Sequence, residues 1–505
     1  MNTPSANPDA EAYRLMRAGR LAEALRFARQ AVAAKTACSP SHGVLAMILL
    51  RLGRAAEADA VVESAARGAP GNADAYNSLA HVAVALGRHE RANALYRRAV
   101  DLGPDVSRHW YNLASSERSF GRLEQAEAAC DRAVALDSRE YRAYLLRSEL
   151  RVQTSAANHV AQLRHELARP DLAGQARVLL AYALGKELDD LGQYEEAFTS
   201  FSLAADAWRR HLSYDVAVDE RKVQRIMEAF PREPAPAVRG SLDSSRFVFI
   251  VGLPRSGTTL LERILTGLPG ARSNGETDNF ARAYAAAARV HPPAADQAVP
   301  DLFARAASVD WNAVAAGYAR LADSDGGGKV VIEKLPLNYL YVGAIHRALP
   351  RARLVVVSRS PIDCCFAMYR ILFGDAYPFT YSFEDLARYY AAYSRLIAHW
   401  RDTCGESISE VRYEELVSDP VRVGAALAPA CGLEWRDSAV AVERNATLCL
   451  TQSAAQVRQP IYQSSAGSWR RYQPQLGPLI AALRRQGVSL PELERSESGD
   501  QFNTT

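Results

Sequence analysis

The chain has few lysines, few cysteines and no long apolar stretch. Only five of its 60 basic residues are lysines, at positions 35, 186, 222, 329 and 334. Its seven cysteines are scattered without a C-x-x-C pair, which favours a reduced compartment over a disulfide framework. No run approaches the roughly 20 apolar residues that a membrane helix needs, and the first residues lack the apolar core of a signal peptide. We therefore expect a cytoplasmic protein with no membrane segment.

The sequence also has neither a large net charge nor a cluster of metal-ligand residues. A net charge of +3 over 505 residues gives no sign of nucleic-acid binding. No grouping of histidine, cysteine and acidic residues has the spacing of a metal site, so no metal is expected. A chain of this length should hold two or three domains.

The N-terminal third repeats with a period of 34 residues. A Gly-Arg pair opens each unit, and alanines follow each glycine after five and twelve residues; the pairs lie at 19–20, 53–54, 87–88 and 121–122. Glycine permits the turn between two helices, and small alanines let facing helices approach closely. The pattern resembles tetratricopeptide repeats, which implies an α-helical solenoid over 1–150.

The repeat spacing returns further along the chain with a shifted period. Gly192, Ala197 and Ala204 keep the same intervals as the earlier units. We therefore predict degenerate helical repeats over 151–240. The last ten residues of that range, 231–240, are rich in proline and are predicted to form a linker.

A strand, a tight loop and a helix are predicted between Arg246 and Leu265. The short apolar run from Phe247 favours a buried strand, and the helix is expected from about Thr258. The loop has the glycine spacing of a Walker A motif, but threonine stands where that motif has its lysine. Backbone N–H groups at such a helix start favour anions. The missing lysine argues against an ATP-dependent kinase, which is the first alternative.

The loop P-R-S-G-T-T (254–259) resembles the 5′-phosphosulfate loop of sulfotransferases that use 3′-phosphoadenosine 5′-phosphosulfate (PAPS). The resemblance covers about 245–490, and its later motifs are similar to those of tyrosylprotein sulfotransferases. Together with the repeats, the chain resembles bacterial tetratricopeptide-repeat sulfotransferases. This implies an α/β, P-loop-like domain with a mostly parallel sheet over 241–493, followed by a disordered tail at 494–505.

The resemblance also implies roles for individual residues. Glu276 would be the general base, and Lys334 and Ser453 would stabilise the leaving group. The residues implied to bind PAPS are Pro254, Arg255, Ser256, Gly257, Thr258, Thr259, Arg359, Tyr413, Gly467, Trp469 and Arg470. One position departs from the family. In relatives a serine lies eight residues after the arginine that corresponds to Arg359, whereas this chain has Ala367 there. One hydrogen bond to the 3′-phosphate, worth about 1.5–3 kcal/mol, is therefore missing or replaced by that of another donor.

The implied activity is sulfuryl transfer from PAPS, as co-substrate, to a hydroxyl group. A protein or peptide tyrosine is the favoured acceptor, because 451–461 resembles a late loop of the tyrosylprotein enzymes and a repeat array can hold a peptide. A glycan, a small phenol or an alcohol is the alternative acceptor. A repeat scaffold with an inactive sulfotransferase domain is the non-enzymatic alternative, and homodimer formation is the other role open to the repeats.

Overall fold

The computed structural model describes residues 7–33, 38–68, 71–232, 242–288, 302–323, 329–445 and 447–493. The predicted tail (494–505) and almost all of the predicted linker (231–240) lie outside these ranges. The chain divides into two compact units between Val152 and Gln153. Each unit is described separately.

The first unit is built of helices joined by tight glycine turns. Glycines 19, 53, 87 and 121 have φ between 72° and 76°, a left-handed conformation that suits glycine. The alanines five residues after these turns are buried. The predicted helical repeats are therefore confirmed. The helices are α1 (Pro8–Arg17), α2 (Leu21–Ala33), α3 (Pro40–Arg51), α4 (Ala55–Arg67), α5 (Ala73–Ala85), α6 (His89–Leu102), α7 (Ser107–Ser119), α8 (Leu123–Leu136) and α9 (Tyr141–Glu149).

The second unit begins with four more helices. They are α10 (Val160–Leu167), α11 (Gly174–Asp190), α12 (Tyr194–His211) and α13 (Val216–Ala229). Helices α11 and α12 form a hairpin around Gly192, whose φ of 75° matches the turns of the first unit. Phe198 of this hairpin lies 6.3–6.4 Å, centroid to centroid, from four aromatic rings of the later chain, which are Phe366, Tyr369, Phe383 and Tyr472. The hairpin is therefore part of the core of the second unit.

A five-stranded sheet forms the centre of the second unit. Its strands are β1 (Phe247–Gly252), β2 (Ala271–Ser273), β3 (Val330–Lys334), β4 (Arg353–Ser358) and β5 (Ile408–Arg412). All the pairings are parallel, in the order β2-β3-β1-β4-β5. The predicted parallel sheet is therefore confirmed. The order reverses at β1, and open α/β sheets bind ligands outside the carboxyl ends of the strands at such a point.

Helices cover both faces of the sheet. Accordingly, every residue of β1 is buried, although successive side chains point to opposite faces. On one face Phe249 lies 5.2 Å, centroid to centroid, from Tyr318 of α16 (Trp311–Ala322). On the other, Val248 and Ile250 share a cluster with Leu261 of α14 (Thr258–Thr266). The remaining helices are α15 (Asn279–Ala287), α17 (Val342–Ala348), α18 (Pro361–Tyr369), α19 (Phe383–Cys404), α20 (Tyr413–Ser418), α21 (Pro420–Leu427) and α22 (Gly477–Arg485). Within the described ranges no helix combines the length and the apolar character needed to cross a bilayer.

Candidate functional site

Four parallel strands deliver candidate residues to one edge of the sheet. Arg255 follows β1, Lys334 ends β3, Arg359 follows β4 and Tyr413 follows β5. Since the strands are parallel, their carboxyl ends lie at the same edge. The topology therefore gathers residues that are up to 158 positions apart in the sequence.

The loop after β1 has an unusual backbone. Gly257 has a φ of 103°, and a side chain there would bring a Cβ atom to within 2.5 Å of the Tyr413 ring. Arg255 has a φ of 66°, the only positive φ of a non-glycine residue in the described part of the chain. Helix α14 begins directly after this loop at Thr258, and Thr258 and Thr259 are both buried. The loop therefore turns its backbone tightly around the start of the helix, where N–H groups are free to bind an anion.

A cavity of about 130 Å³ lies beside this loop, and Arg255, Arg359 and Arg370 all line it. The Nε atom of each of these arginines is buried without a hydrogen-bond partner among the described residues. Burial, together with the positive charges of Arg359 and Arg370, lowers the pKa of Arg255 to about 10. Unsatisfied buried donors and three like charges suit a ligand with more than one anionic group. We name this space the arginine cavity; its lining also includes Gly257, Thr258, Thr259, Ala367, Tyr413, Ser453 and Ser465.

Arg359 ties three segments of the cavity wall together. Its Nη1 donates to the carbonyl oxygen of Arg255 at 3.1 Å, and its Nη2 donates to that of Ser465 at 2.5 Å. The guanidinium carbon also lies 4.6 Å from the centroid of the Tyr413 ring. The Tyr413 hydroxyl in turn hydrogen-bonds the Ser465 hydroxyl. Arg359 is therefore held in a fixed position beside the loop after β1.

The N-terminus of α18 is bound by carboxylates of the chain itself. The Ser360 N–H donates to Glu414 Oε1 at 2.7 Å, and the Ile362 N–H donates to Glu492 Oε1 at 3.2 Å. Negative groups are stabilised at such a position. An anion near Arg359 would therefore be bound by side chains and not by the N-terminus of α18.

Three residues from the loop after 465 do not line the arginine cavity. The N–H groups of Gly467 and Trp469 donate to the Asp363 carboxylate at 2.6 and 3.1 Å, and the Trp469 ring is buried. Arg470 is exposed, with its guanidinium 5.1 Å from the centroid of the Trp469 ring. The loop instead reaches the cavity through Ser465.

A second cavity of about 220 Å³ also borders the loop after β1. Its lining includes Pro254, Glu276, Phe373 and Tyr377, and we name it the Glu276 cavity. It shares four lining residues with the arginine cavity, namely Arg255, Thr258, Thr259 and Ser453. The two cavities therefore meet at these shared residues.

Lys334 lies between two carboxylates and is completely buried. Its Nζ is 2.5 Å from Glu276 Oε1 and 3.7 Å from Glu262 Oε2. Burial raises the pKa of Glu262, while Lys334 and a hydrogen bond from Ser273 lower it. Lys334 lines neither cavity itself, and it is linked to the Glu276 cavity through Glu276.

Ser453 and its neighbours close the site from the late loop. The Arg255 guanidinium donates through Nη1 to the Ser453 hydroxyl and through Nη2 to Gln456 Oε1 at 2.6 Å. The Ser256 hydroxyl is buried without a hydrogen-bond partner among the described residues. Arg255 therefore also fixes the segment that contains Ser453 and Gln456.

Sequence reasoning missed Glu262, Arg370 and Gln456. A helical signal existed for two of them. Glu262 is four residues after Thr258 on α14, and Arg370 is three residues after Ala367 at the end of α18, so each shares a helix face with a candidate position. No group of three or more histidine, cysteine or acidic residues that would suit a metal ion is found in the described ranges.

Comparison with known proteins agrees with this division of the chain. Residues 248–437 match the model of the sulfotransferase family, and residues 77–141 match a tetratricopeptide-repeat model. The chain therefore contains one segment that matches the sulfotransferase family model and, before it, one that matches tetratricopeptide repeats.

One curated relative and several solved structures are similar to the chain. An uncharacterized protein of Aquifex aeolicus (strain VF5) is 27% identical over 338 residues, and the similarity covers 65% of this chain but only 44% of that protein. The sulfotransferase domain of the Synechococcus PCC 7002 olefin synthase is 18% identical and covers 52% of this chain and 99% of its own, with a TM-score of 0.35. YrrB, described as a tetratricopeptide-repeat protein with an unusual peptide-binding site, is 17% identical and covers 38% of this chain and 89% of its own, with a TM-score of 0.25.

Proposed function

We propose that the protein transfers a sulfuryl group from PAPS to a hydroxyl group, and that its acceptor is a tyrosine of a peptide or protein. The observation that carries the proposal is the pair of cavities that meet at Arg255, Thr258, Thr259 and Ser453. One cavity is rich in arginine and the other contains a carboxylate. Such a pair suits an anionic donor on one side, an acceptor on the other, and transfer at the boundary.

The donor side fits PAPS in its charge and in its unsatisfied groups. The loop around Gly257 and the start of α14 would hold the 5′-phosphosulfate, together with Arg255, Ser256 and both threonines. Arg359 would bind the 3′-phosphate, and Tyr413 would border the nucleotide. Three buried Nε donors without partners among the described residues are consistent with a ligand that carries several anionic oxygens. Gly467, Trp469 and Arg470 would act by shaping and covering the adjacent loop.

The chemistry assigned to the chain consists of positioning, proton removal and charge stabilisation. When bound, the donor supplies an electrophilic sulfuryl group. Glu276 accepts the proton of the acceptor hydroxyl as that oxygen bonds to sulfur. When the sulfur–oxygen bond to the phosphate breaks, two groups would stabilise the electron pair that leaves with the phosphate oxygen. They are the Ser453 hydroxyl, which lines both cavities, and the Lys334 ammonium, which is linked to the Glu276 cavity through Glu276. Glu262 holds Lys334 from its other side.

Tyrosine is the proposed acceptor because of the character of the Glu276 cavity. Phe373 and Tyr377 line it and pack edge to face at 5.0 Å between centroids, which gives a phenol ring aromatic partners. A phenol has a reference pKa of about 10, so a single carboxylate base suffices for it better than for an alcohol. The repeats would then hold the surrounding peptide.

The donor assignment is tested by thermal stabilisation. We expect adenosine 3′,5′-bisphosphate to raise the Tm far more than ATP with Mg²⁺ does, because the loop lacks the Walker lysine. A larger shift with ATP and Mg²⁺ would support the kinase alternative and contradict the proposal.

The acceptor assignment is tested by transfer of label from PAPS to a panel of tyrosine peptides, glycans and small phenols. We expect label on the tyrosine peptides. Label on glycans alone, or on small phenols alone, overturns the tyrosine assignment but keeps the donor assignment. If no acceptor is labelled although the bisphosphate binds, the inactive-scaffold alternative is favoured.

A further inference from the structure

Helix α11 lies outside the segment that matches the sulfotransferase family, yet one of its carboxylates contacts the donor side of the site. Asp189 Oδ2 accepts from Arg370 Nη1 at 2.8 Å, and Asp189 Oδ1 accepts from the Tyr472 hydroxyl at 2.5 Å. Both partners belong to the later chain, and Arg370 lines the arginine cavity. A single side chain thus joins the end of α18 to the turn that contains Tyr472.

The Arg370 guanidinium is held on three sides. Its carbon lies 4.9 Å from the centroid of the Phe366 ring and 6.0 Å from that of Tyr472, while Asp189 takes Nη1. A flexible arginine loses rotamer freedom when it binds an anion, so fixing its plane beforehand lowers the cost of binding. Asp189 therefore not only neutralises the charge of Arg370 but also fixes the orientation of its guanidinium plane.

Arg370 also lies close to Ala367, the position at which related proteins carry a serine hydroxyl. Ala367 lines the same cavity from the preceding turn of α18, and residues three apart share a helix face. The Nε of Arg370 is buried without a hydrogen-bond partner among the described residues. A charged donor is thus available beside the position from which an alanine cannot donate.

We propose that Asp189 is a positioning residue of the donor site, which directs Arg370 toward the 3′-phosphate of the ligand. The helical hairpin α11–α12 is then part of the donor-binding machinery, and Arg370 supplies the hydrogen bond that Ala367 has no hydroxyl to make. This inference rests on the proposed function, because it takes the ligand of the arginine cavity to be a nucleoside bisphosphate.

The test compares two ligands by calorimetry with the full chain, adenosine 3′,5′-bisphosphate and adenosine 5′-monophosphate. We expect Asp189→Asn and Arg370→Gln each to weaken the bisphosphate at least tenfold and the monophosphate less than twofold, because only the bisphosphate has the 3′ group. The double variant should bind no more weakly than Arg370→Gln alone, since Asp189 acts through Arg370. In turnover, Asp189→Asn should raise the KM for PAPS and change kcat less than threefold.

The matched control is the neighbouring carboxylate Asp190. It accepts from Lys186 Nζ at 2.6 Å and from the Gln153 N–H at 2.8 Å, so these two hydrogen bonds stay among the helices before the sheet. Asp190→Asn should bind both ligands as the unchanged protein does.

The outcomes separate this inference from the proposed function. If the unchanged protein does not prefer the bisphosphate, the proposed donor is wrong. If it does, but Asp189→Asn binds like Asp190→Asn or loses both ligands equally, Asp189 has no positioning role. Should Asp189→Asn not fold, Asp189→Glu, which keeps the charge but displaces it by one methylene, is held to the same criterion.

Discussion

Arg255 combines a functional position with an unfavourable backbone. A left-handed conformation costs a residue with a Cβ atom about 1–2 kcal/mol, and Arg255 adopts it with a φ of 66°. Its guanidinium lines both cavities and contacts Ser453 and Gln456. The position therefore gives up stability for the placement of a charge.

The cost at Arg255 can be separated from its role by two substitutions. Arg255→Gly and Arg255→Ala remove the same guanidinium, but only glycine relieves the backbone. We expect the glycine variant to exceed the alanine variant by about 1 kcal/mol in free energy of unfolding, while both bind adenosine 3′,5′-bisphosphate at least tenfold more weakly. Chemical denaturation and calorimetry measure the two quantities. Equal stability of the two variants would contradict the strain argument.

Glu276 and Lys334 are in contact with each other, but their proposed roles can be tested separately. We expect Glu276→Gln to lower kcat by about 10²-fold, the usual scale for a general base. The exposed Asp278, two residues along, provides the control as Asp278→Asn, which should keep its turnover. A Glu276→Gln variant with near-normal kcat would remove the assigned base.

Lys334 should show a double effect, because it is fully buried beside two carboxylates. Lys334→Met keeps the length of the side chain but leaves Glu262 without its cation, which raises the pKa of Glu262 further. We expect kcat to fall by about 10²-fold. The Tm should also fall, more at pH 8 than at pH 5, because the unpaired carboxyl is tolerated only when protonated. A loss of Tm that is independent of pH would argue against this account.

The sequence identified residues whose neighbours in the chain define their role, and missed those defined by tertiary contact. The loop around Gly257 is recognisable because glycine spacing, strand and helix are all local. Arg370 and Asp189 lie 181 positions apart, and no local pattern indicates that they meet. Arg470 shows the opposite case, since a motif indicates the right loop but the side chain lies away from the cavity.

At the scale of secondary structure, β3 carries a buried carboxyl group at Glu333. It is completely buried, and burial raises its pKa to about 7, although Tyr318, the Phe280 backbone, Asn279 and Asn338 lower it. Glu333 lies next to Lys334 but on the opposite face of the strand. Glu333 is thus a further buried carboxyl of this unit, separate from the group formed by Glu262, Lys334 and Glu276.

This carboxyl should make stability depend on pH. Because the pKa is higher in the folded protein than its ordinary 4.5, the unfolded chain releases the proton first. Stability is therefore lost as the pH rises from about 4.5 to about 7, by up to ~3 kcal/mol for a shift of this size. We expect Glu333→Gln to reduce the difference in unfolding free energy between pH 5 and pH 8. Glu434→Gln, an exposed control, should retain it.

Secondary structure was predictable where turns and strands carry their own signals. The strand at Phe247, the helix start at Thr258 and the glycine turns agree with the structure, since each is set by backbone preference or a short apolar run. The carboxylates at the start of α18 were not predictable, because Glu414 and Glu492 come from distant segments.

For the whole molecule, the division between Val152 and Gln153 predicts where the chain can be shortened. Residues 153–505 should fold and bind adenosine 3′,5′-bisphosphate like the full chain. Residues 242–505 lack the hairpin, so Phe366, Tyr369 and Tyr472 lose their contact with Phe198, and Arg370 loses its hydrogen bond to Asp189. We expect the shorter fragment to lose cooperative melting. Equal Tm values for the two fragments would show that the hairpin is dispensable.

The longer fragment, residues 153–505, also tests the proposed role of the repeats. If they hold the acceptor, residues 153–505 should keep the KM for PAPS but raise the KM for a tyrosine peptide at least tenfold. A small phenol, which is too short to reach a repeat surface, serves as the control acceptor and should be unaffected. An unchanged peptide KM would leave assembly as the role of the repeats.

The hairpin at Gly192 also limits how this architecture can change over evolutionary time. A 34-residue unit inserted or deleted among helices α1 to α9 alters the length of an array in which the glycine turns within the helical pairs share one geometry. The unit around Gly192 has the same turn geometry, but it also supplies Phe198 and Asp189 to the domain that contains the sheet. Duplication and loss should therefore act freely on the earlier units, while the last one is inherited together with the domain that it helps to build.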